Sequence, residues 1–457
     1  MERSAARRGA LAGAAGALVS RPVVASPPCV AIETLPRHVG AEVEVRGWLH
    51  QRRSSGRIHF LVVRDGTGFV QVVLSRADLD AETFTRADHL PQESSLIVRG
   101  VVRADARAPG GVEVAGRSLT VVHEAEPYPI TPKAHGTEFL MDHRHLWLRS
   151  QRQHAIMRVR AEVLRAATAY LEAAGYLRTD APILTPAAVE GTTTLFATPY
   201  FDLGEAYLTQ SGQLYLEATA MAFGRVYALG PTFRAERSKT RRHLTEFWML
   251  EPEAAFADLE EIMALAEGLV CAVVAQVVEH RRAELLTLGR DLEALRRVQP
   301  SFPRLSYDEA LARLAAAGKP VPWGEDLGGD EETVLAQQFD RPVFVHRYPA
   351  RAKAFYMQPD PARPEIVLSM DLLAPEGYGE IIGGGQRIHD LDLLERRLEA
   401  HRLPRAAYAW YLDLRRYGSV PHAGFGLGVE RTVAWICGLE HVREAIPFPR
   451  TITRLYP

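Results

Sequence analysis

Phe233-Arg234-Ala235-Glu236 opens a charged loop that runs through Arg242-His243 and closes on Glu246-Phe247. Far downstream stands Gly424-Phe425-Gly426-Leu427-Gly428-Val429-Glu430-Arg431, and two acids lie between, Asp371 in Ser369–Leu373 and Glu380 in Gly379-Glu380-Ile381. An arginine, an aromatic ring thirteen residues on, and a second arginine after a glycine-rich turn form a complementary set. A nucleotide needs a flat surface for its base and fixed cations for its phosphates. Paired carboxylates that share phosphate oxygens are how magnesium is usually held. A guanidinium can fork two oxygens at once, which lysine cannot do. The glycines follow neither dinucleotide-binding nor P-loop spacing. No side chain stands out as a covalent nucleophile.

These residues need a scaffold. A helical pattern runs from Gln153 to Ala174, apolar at Ile156, Val159, Val163, Leu164, Ala167 and Leu171. Gly175 stops it, and a strand-like Thr179–Thr185 containing Pro182 follows. Mixed strands and helices continue to the C-terminus, and 285–345 reads as an insertion with two short helices and Gly-rich loops. Upstream the pattern is short alternating strands: Val43–His50, Ile58–Asp65, Phe69–Ser75, Ser95–Val102 and Val112–Val122. Turn signals such as Asp65-Gly66-Thr67-Gly68 separate them, and five strands in so short a span fit a small closed barrel of the oligonucleotide-binding (OB) type. The fold expected is α+β: a barrel over 34–125, a linker over 126–140, and a large domain over 141–457.

The bulk numbers narrow the setting. In 457 residues, 54 basic and 56 acidic side chains nearly cancel, so any RNA contact must come from local patches. Three cysteines lie far apart, without zinc or disulfide spacing, which suits a reducing cytoplasm. No long, strongly apolar stretch is apparent beyond the N-terminus, so no membrane span is expected. Residues 1–33 are Ala-, Arg- and Gly-rich with a weakly apolar run at Gly9–Val19, and read as an extension without fixed structure.

Three segments together resemble the signature motifs of class II aminoacyl-tRNA synthetases: the helix leading through Gly175-Tyr176 to Pro182, the Arg234–Glu251 stretch, and Gly424–Arg431. The resemblance covers 35–457 and points to subclass b, which handles aspartate, asparagine and lysine. It implies an antiparallel-sheet catalytic domain, a homodimer, and a two-step reaction without DNA: an amino acid and ATP form an adenylate, and a tRNA receives the aminoacyl group. It implies that Arg234 and Arg431 are catalytic. Arg234 would contact the α-phosphate and the amino-acid carboxylate, Glu236 the adenine amino group, and Phe247 the ring face. His243 with Arg431 would hold the distal phosphates, with Arg242, Glu380, Gly428 and Glu430 completing the ATP site. Asp371 and Glu380 would hold magnesium. Glycines 424, 426 and 428 would leave room for the nucleotide.

Gly383-Gly384-Gly385-Gln386-Arg387 places Arg387 at the amino-acid side chain by the same resemblance. Asparagine-specific members usually carry Ser where Gly385 stands. In aspartate members, the stretch matching Thr209–Glu217 has Pro near Gly212 and Lys at the place of Leu216. Without that cation a buried substrate carboxylate would be unpaired, so L-asparagine and tRNA(Asn) fit better. His243–Glu253, Lys353–Met357 and Tyr417–Gly424 also resemble the asparagine branch. Glu190 and Gln213 are candidates for the substrate's ammonium group; Glu217, Glu251 and Glu253 all remain open for its amide nitrogen. An aspartate-handling enzyme, including one that charges both tRNAs, stays as the alternative. An ammonia-dependent ligase would lack the barrel, and a non-catalytic paralogue would typically have lost Arg234, Glu380 or Arg431.

The barrel resembles the anticodon-binding domain of the same group. Phe60 and Gln71 match its pair for the central anticodon uridine, by stacking and an edge contact. Arg52, with Arg46, Arg53 and Arg57, is expected to meet phosphates on the same face.

Overall fold

The computed structural model describes residues 26–186 and 195–457. Two compact units divide at Ala134/His135. In the first, β1 (Glu42–Ser55), β2 (Ile58–Arg64), β3 (Phe69–Ser75), β4 (Ser95–Ala104) and β5 (Val112–His123) close into a barrel in the order β1-β2-β3-β5-β4. Alternation drives closure. Val43, Val45, Leu61, Val63, Val70, Val72, Val98 and Val114 point inward and are buried, while their neighbours face out. All five expected strands are present. A nine-residue helix, Ala81–His89, was not foreseen; Asp80 caps it through Thr83 N at 2.8 Å, but its two turns bury only Phe84 and Ala87.

The expectation that 1–33 is unstructured fails at its end. Val30 N donates to Glu44 O at 3.0 Å, and Ile32 and Leu35 from a short 3-10 helix, Ile32–His38, join the barrel core. Burying two aliphatic side chains outweighs the entropy of ordering this segment. Residues 1–25 lie outside the described residues.

In the second unit, the expected long helix spans Gln151–Ala173, with the Ser150 hydroxyl accepting from Gln153 N at 3.2 Å. The single strand expected at Thr179–Thr185 is instead two fragments, β6 (Leu177–Arg178) and β7 (Leu184–Thr185). Pro182, lacking an N–H, falls in the gap. β7 joins β8 (Ala197–Pro199) and β9 (Glu205–Leu208) in a small sheet.

The main sheet holds β10 (Arg225–Phe233), β11 (Glu246–Ala255), β12 (Arg304–Ser306), β13 (Val343–His346), β14 (Ser369–Ala374), β15 (Gly379–Arg387) and β16 (His422–Gly428), with β6 at one edge. Its order is β12-β13-β14-β15-β16-β11-β10-β6. The interior pairs are antiparallel, and the two edge pairs, β12/β13 and β6/β10, are parallel. Each parallel pair is reached by a helical crossover, as parallel geometry requires. The segment 285–345 holds more than two short helices: Leu292–Arg296, Tyr307–Ala316 and Gly329–Ala336 follow Arg282–Thr287, and its strands β12 and β13 belong to the main sheet.

The helix Leu259–His280 is long and apolar enough to cross a membrane, contrary to the sequence reading. Its Ile262, Met263, Ala266, Leu269, Val270, Val273 and Val277 are buried in the main core, which accounts for that composition.

Several imidazoles are half-buried. Burial, with Arg443 next, pushes His441 down to about 4, and burial also lowers His50 and His346. Each has a folded value below its unfolded one, so the unfolded chain binds more protons as pH falls, and stability drops from about pH 6.5 toward 4. His441 Nδ1 accepts from Arg443 N at 3.1 Å as an N-cap. His441→Asn keeps a capping acceptor and removes the titration. Its loss of stability between pH 6.5 and 4.5 in urea unfolding should be smaller by about 1 kcal/mol, discounted for partial exposure. An unchanged loss would refute this account.

Candidate active site and RNA-facing surface

The β10–β11 hairpin carries the charged loop at its open end, with Phe233 opposite Glu246 and Thr232 opposite Phe247. Arg234 N donates to Thr245 O at 3.0 Å, which keeps the start of the loop on the sheet. The Arg234 guanidinium carbon stands 5.4 Å from the Phe247 ring centre. From the other side, β16 leads into the helix Val429–Cys437, whose first turn presents Arg431. Arg431 Nη1 donates to Glu380 Oε2 at 2.8 Å and to Glu380 O at 3.0 Å. Arg234, His243, Phe247, Glu380 and Arg431 therefore line one cavity.

A larger cleft, about 1540 Å³ with the solvent at its mouth, continues from it and shares Arg234, Glu380 and Gly426. Gln213, Leu216, Glu236, Glu251, Glu253, Lys353, Asp371 and Arg387 line this second space. Asp371 faces Gly383 across β14/β15. A Cβ on Gly383 would lie 2.6 Å from Glu380 Oε1 and 3.4 Å from Asp371 Oδ1, so the two acids converge over one point. That convergence of hard oxygen donors fits a divalent cation. Burial raises Asp371 to about 6, with Lys353 pulling the other way. For Glu380, burial is outweighed by Arg431 and then Lys353, which hold it below the usual carboxylate range.

Several expected contacts go elsewhere. Arg242 lines the Phe247 cavity and also bonds within the protein, donating to Gly329 O at 3.0 Å and Glu332 Oε2 at 3.2 Å, and to Thr333 and Gly377. Burial lowers the His243 imidazole, Arg431 adding to it, and the ring lines the same cavity as Arg431. The Glu430 carboxylate accepts from Trp248 N at 2.9 Å and meets Arg160 Nη1 at 2.7 Å; it braces β11. Two glycines of β16 make room for this chain's own side chains. A Cβ at Gly424 would meet Glu253 Oε2 at 1.9 Å, and one at Gly426 would meet the Met249 methyl at 2.2 Å. Glu190 lies outside the described residues.

Gln213 begins the helix Gln213–Phe223 and donates through Nε2 to Glu217 Oε1 at 3.1 Å. Its carbonyl oxygen is thereby the end left for the cleft. Glu217 is fully buried and takes further bonds from Tyr411 (2.8 Å), Arg415 Nη2 (2.6 Å) and His422 Nε2 (2.8 Å). Burial alone would raise Glu217, yet Arg415 and His422 hold it well below the usual range. Glu217, Glu253 and His422 cluster closely enough to suggest a metal site. Nδ1 of His422 faces Val420 O at 2.8 Å and Nε2 faces Glu217 at 2.8 Å and Arg415 Nη2 at 3.4 Å, so both ring nitrogens are already engaged within the protein. The trio is an ion-pair cluster.

Arg387 is 2% exposed and forks onto Glu253, Nε to Oε1 at 3.1 Å and Nη2 to Oε2 at 3.0 Å. Glu251 accepts from Gly212 N at 3.0 Å and from the Ser211 hydroxyl. Of the three acids left open for the substrate amide, Glu251 and Glu253 line the cleft, and Glu217 lies beneath it. Gly385 adopts φ +154°, and a Cβ there would lie 2.4 Å from Leu368 O, so a serine would require the strand to shift. Sequence reasoning missed Glu332. It accepts from Glu380 N at 3.0 Å, and burial with the Glu380 charge raises it to about 7. Its helix lies far from both motifs in sequence, with no local pattern to mark it.

On the barrel, Phe60 and Gln71 share the outward face. Phe60 pairs with Arg53 and Val73, and Val62 pairs with Gln51 and Gln71. Arg53 covers the Phe60 ring at 4.5 Å, and Gln71 Nε2 donates to Glu113 at 3.0 Å. Arg52 departs from the expectation. A bulge between Leu49 and Gln51 shifts the alternation, so Arg52 pairs with Leu61 and turns to the other side. There it binds the carbonyls of Leu90 (2.9 Å) and Asp88, at the end of helix Ala81–His89.

Residues 136–452 match the family described as tRNA synthetases class II (D, K and N), and 43–122 match the OB-fold nucleic acid binding domain. The chain is 61% identical to the asparagine--tRNA ligase of Thermus thermophilus and 58% identical to that of Chloroflexus aurantiacus. Each alignment covers 94% of this chain, with 100% and 99% of those proteins. The crystal structure of asparaginyl-tRNA synthetase from Pyrococcus horikoshii complexed with asparaginyl-adenylate superposes with a TM-score of 0.90 at 49% identity, covering 94% of this chain and 99% of that one. With its motifs brought together at the end of one antiparallel sheet, the chain belongs to the class II tRNA synthetases of the D, K and N group.

Proposed function

We propose that this chain is an asparagine--tRNA ligase, which activates L-asparagine with ATP and transfers it to the terminal adenosine of tRNA(Asn). The observation that carries the choice of amino acid is the charge around Arg387. Glu253 already takes two of its donors, and Leu216, not a cation, faces the same cleft. A substrate carboxylate there would find no unpaired positive partner, whereas an amide can accept from Arg387 and donate to Glu251 or Glu253.

In this reading the adenine stacks on Phe247, with Glu236 at its amino group. Arg234 spans the junction of the two cavities, where it can hold the α-phosphate and the amino-acid carboxylate for in-line attack. Charge developing on the phosphoryl oxygens falls to Arg234 and Arg431. Asp371 and Glu380 would hold Mg2+, which would neutralise phosphate charge and orient the triphosphate. Gln213 offers its carbonyl oxygen to the substrate ammonium, and Phe60 with Gln71 offers the barrel's base-reading surface to the anticodon. Exposed apolar residues, among them Leu177 (51%), Phe201 (89%) and Leu203 (82%), support a homodimer. Free cysteines suit a cytoplasmic setting.

The test is exchange of labelled pyrophosphate into ATP with asparagine or aspartate as the amino acid. Asparagine should be preferred by at least about 10³-fold in kcat/KM, as an unpaired buried charge demands. Comparable exchange with aspartate would overturn the assignment.

A further inference from the structure

Both acids assigned to the metal already have a cation. Lys353 Nζ lies 2.8 Å from Asp371 Oδ2, and Arg431 Nη1 lies 2.8 Å from Glu380 Oε2. Lys353 is the less solvated of the two cations, its side chain 15% exposed, with the ammonium 3.9 Å from the centre of the Tyr348 ring. It has a second acid within reach: Asp326 Oδ1 at 3.2 Å, on a side chain 56% exposed at the mouth of the cleft. A divalent ion arriving alone at the converging Oε1 and Oδ1 meets the positive charges of Lys353 on Asp371 Oδ2 and Arg431 on Glu380 Oε2, which oppose it. A nucleoside triphosphate changes the balance, because its oxygens compete for those same cations and leave the carboxylates unpartnered.

We propose that Lys353 is a resident counter-ion that closes the carboxylate pair to divalent cations until a nucleoside triphosphate arrives. The inference rests on the ATP-and-metal reading of this cleft. A compact charge on a flexible four-carbon stem suits the role, since it can move from Asp371 toward Asp326 or a phosphate oxygen without leaving a charged group bare. Nucleotide and metal then bind with positive coupling, and the coupling is reciprocal: each tightens the other by the same factor.

The experiment uses Mn2+ as the probe, with protein-bound metal measured by equilibrium dialysis and the bound ion's electron paramagnetic resonance spectrum, on the full chain with and without ATP and without amino acid. Wild type should bind Mn2+ weakly alone, with Kd no tighter than about 1 mM, the weak end of oxygen-ligand sites. ATP should tighten it at least about tenfold. Lys353→Met should bind Mn2+ without nucleotide at least about tenfold more tightly than wild type, with the ATP-dependent gain reduced. Lys353→Arg, which keeps the charge, should behave like wild type. Unchanged or weaker nucleotide-free binding in Lys353→Met overturns the proposal. So does a tight nucleotide-free site in the wild type, a result that needs no variant to fold. Failure of the wild type to bind ATP at all sinks the underlying reading instead, and dialysis with labelled ATP tells the two apart.

Discussion

Arg234→Ala should lower asparagine-dependent exchange of pyrophosphate into ATP by at least about 10³-fold, the scale at which a single transition-state guanidinium acts. The structure supplies the reason. Arg234, like Glu380 and Met249, lines both the Phe247 cavity and the Gln213–Arg387 cleft, which in the proposed function is where the two substrates meet. Phe247 holds its plane at 5.4 Å, and the backbone bond from Arg234 N to Thr245 O anchors the loop whatever the side chain. Truncation should therefore leave the fold intact, with an unfolding midpoint near that of wild type. Arg234→Lys should recover little, because one ammonium cannot fork two oxygens. Exchange within tenfold of wild type in Arg234→Ala would show that the residue does not organise the reaction.

The second large effect is on stability. Glu217→Ala should cost about 3–5 kcal/mol in urea unfolding, the range for removing one partner of a buried ion pair. Glu217 and Arg415 have no exposed side-chain surface, and the carboxylate also takes bonds from Tyr411, His422 and Gln213. Its removal leaves a buried guanidinium without its acid and an amide at the cleft without its anchor. Glu217→Gln, which keeps the volume and one acceptor, should cost less. If both variants unfold like wild type, the cluster contributes no net stability and Gln213 must be oriented some other way.

What could be read from sequence was local or chemical. The barrel strands were legible because residues such as Val43 and Val45 alternate with charged ones between turn signals, and the charged loop because Arg234, Phe247 and Arg431 are an unusual set at informative spacing. Arg52 was misplaced by one residue of bulge, a backbone event with no side-chain signature. Arg242 and His243 both line the Phe247 cavity as expected, but the bonds of Arg242 to Glu332 could not be foreseen, since that partner sits on a distant helix. The glycines of β16 were read as space for a ligand; Glu253 and Met249 fill the space over Gly424 and Gly426, whereas Gly428 lines the Phe247 cavity with only ordinary contacts around it. Pairings made across hundreds of residues, as in the Glu217 cluster, have no trace in any one window.

The helix Gly329–Ala336 lies in the stretch that looked separable, yet through Glu332 it grips both the Arg242 guanidinium and the Glu380 amide. Trimming 285–345 to obtain a minimal catalyst would therefore unfasten Arg242 and Glu380 at the floor of the cleft. Any shortened design has to graft an acid back at that spot.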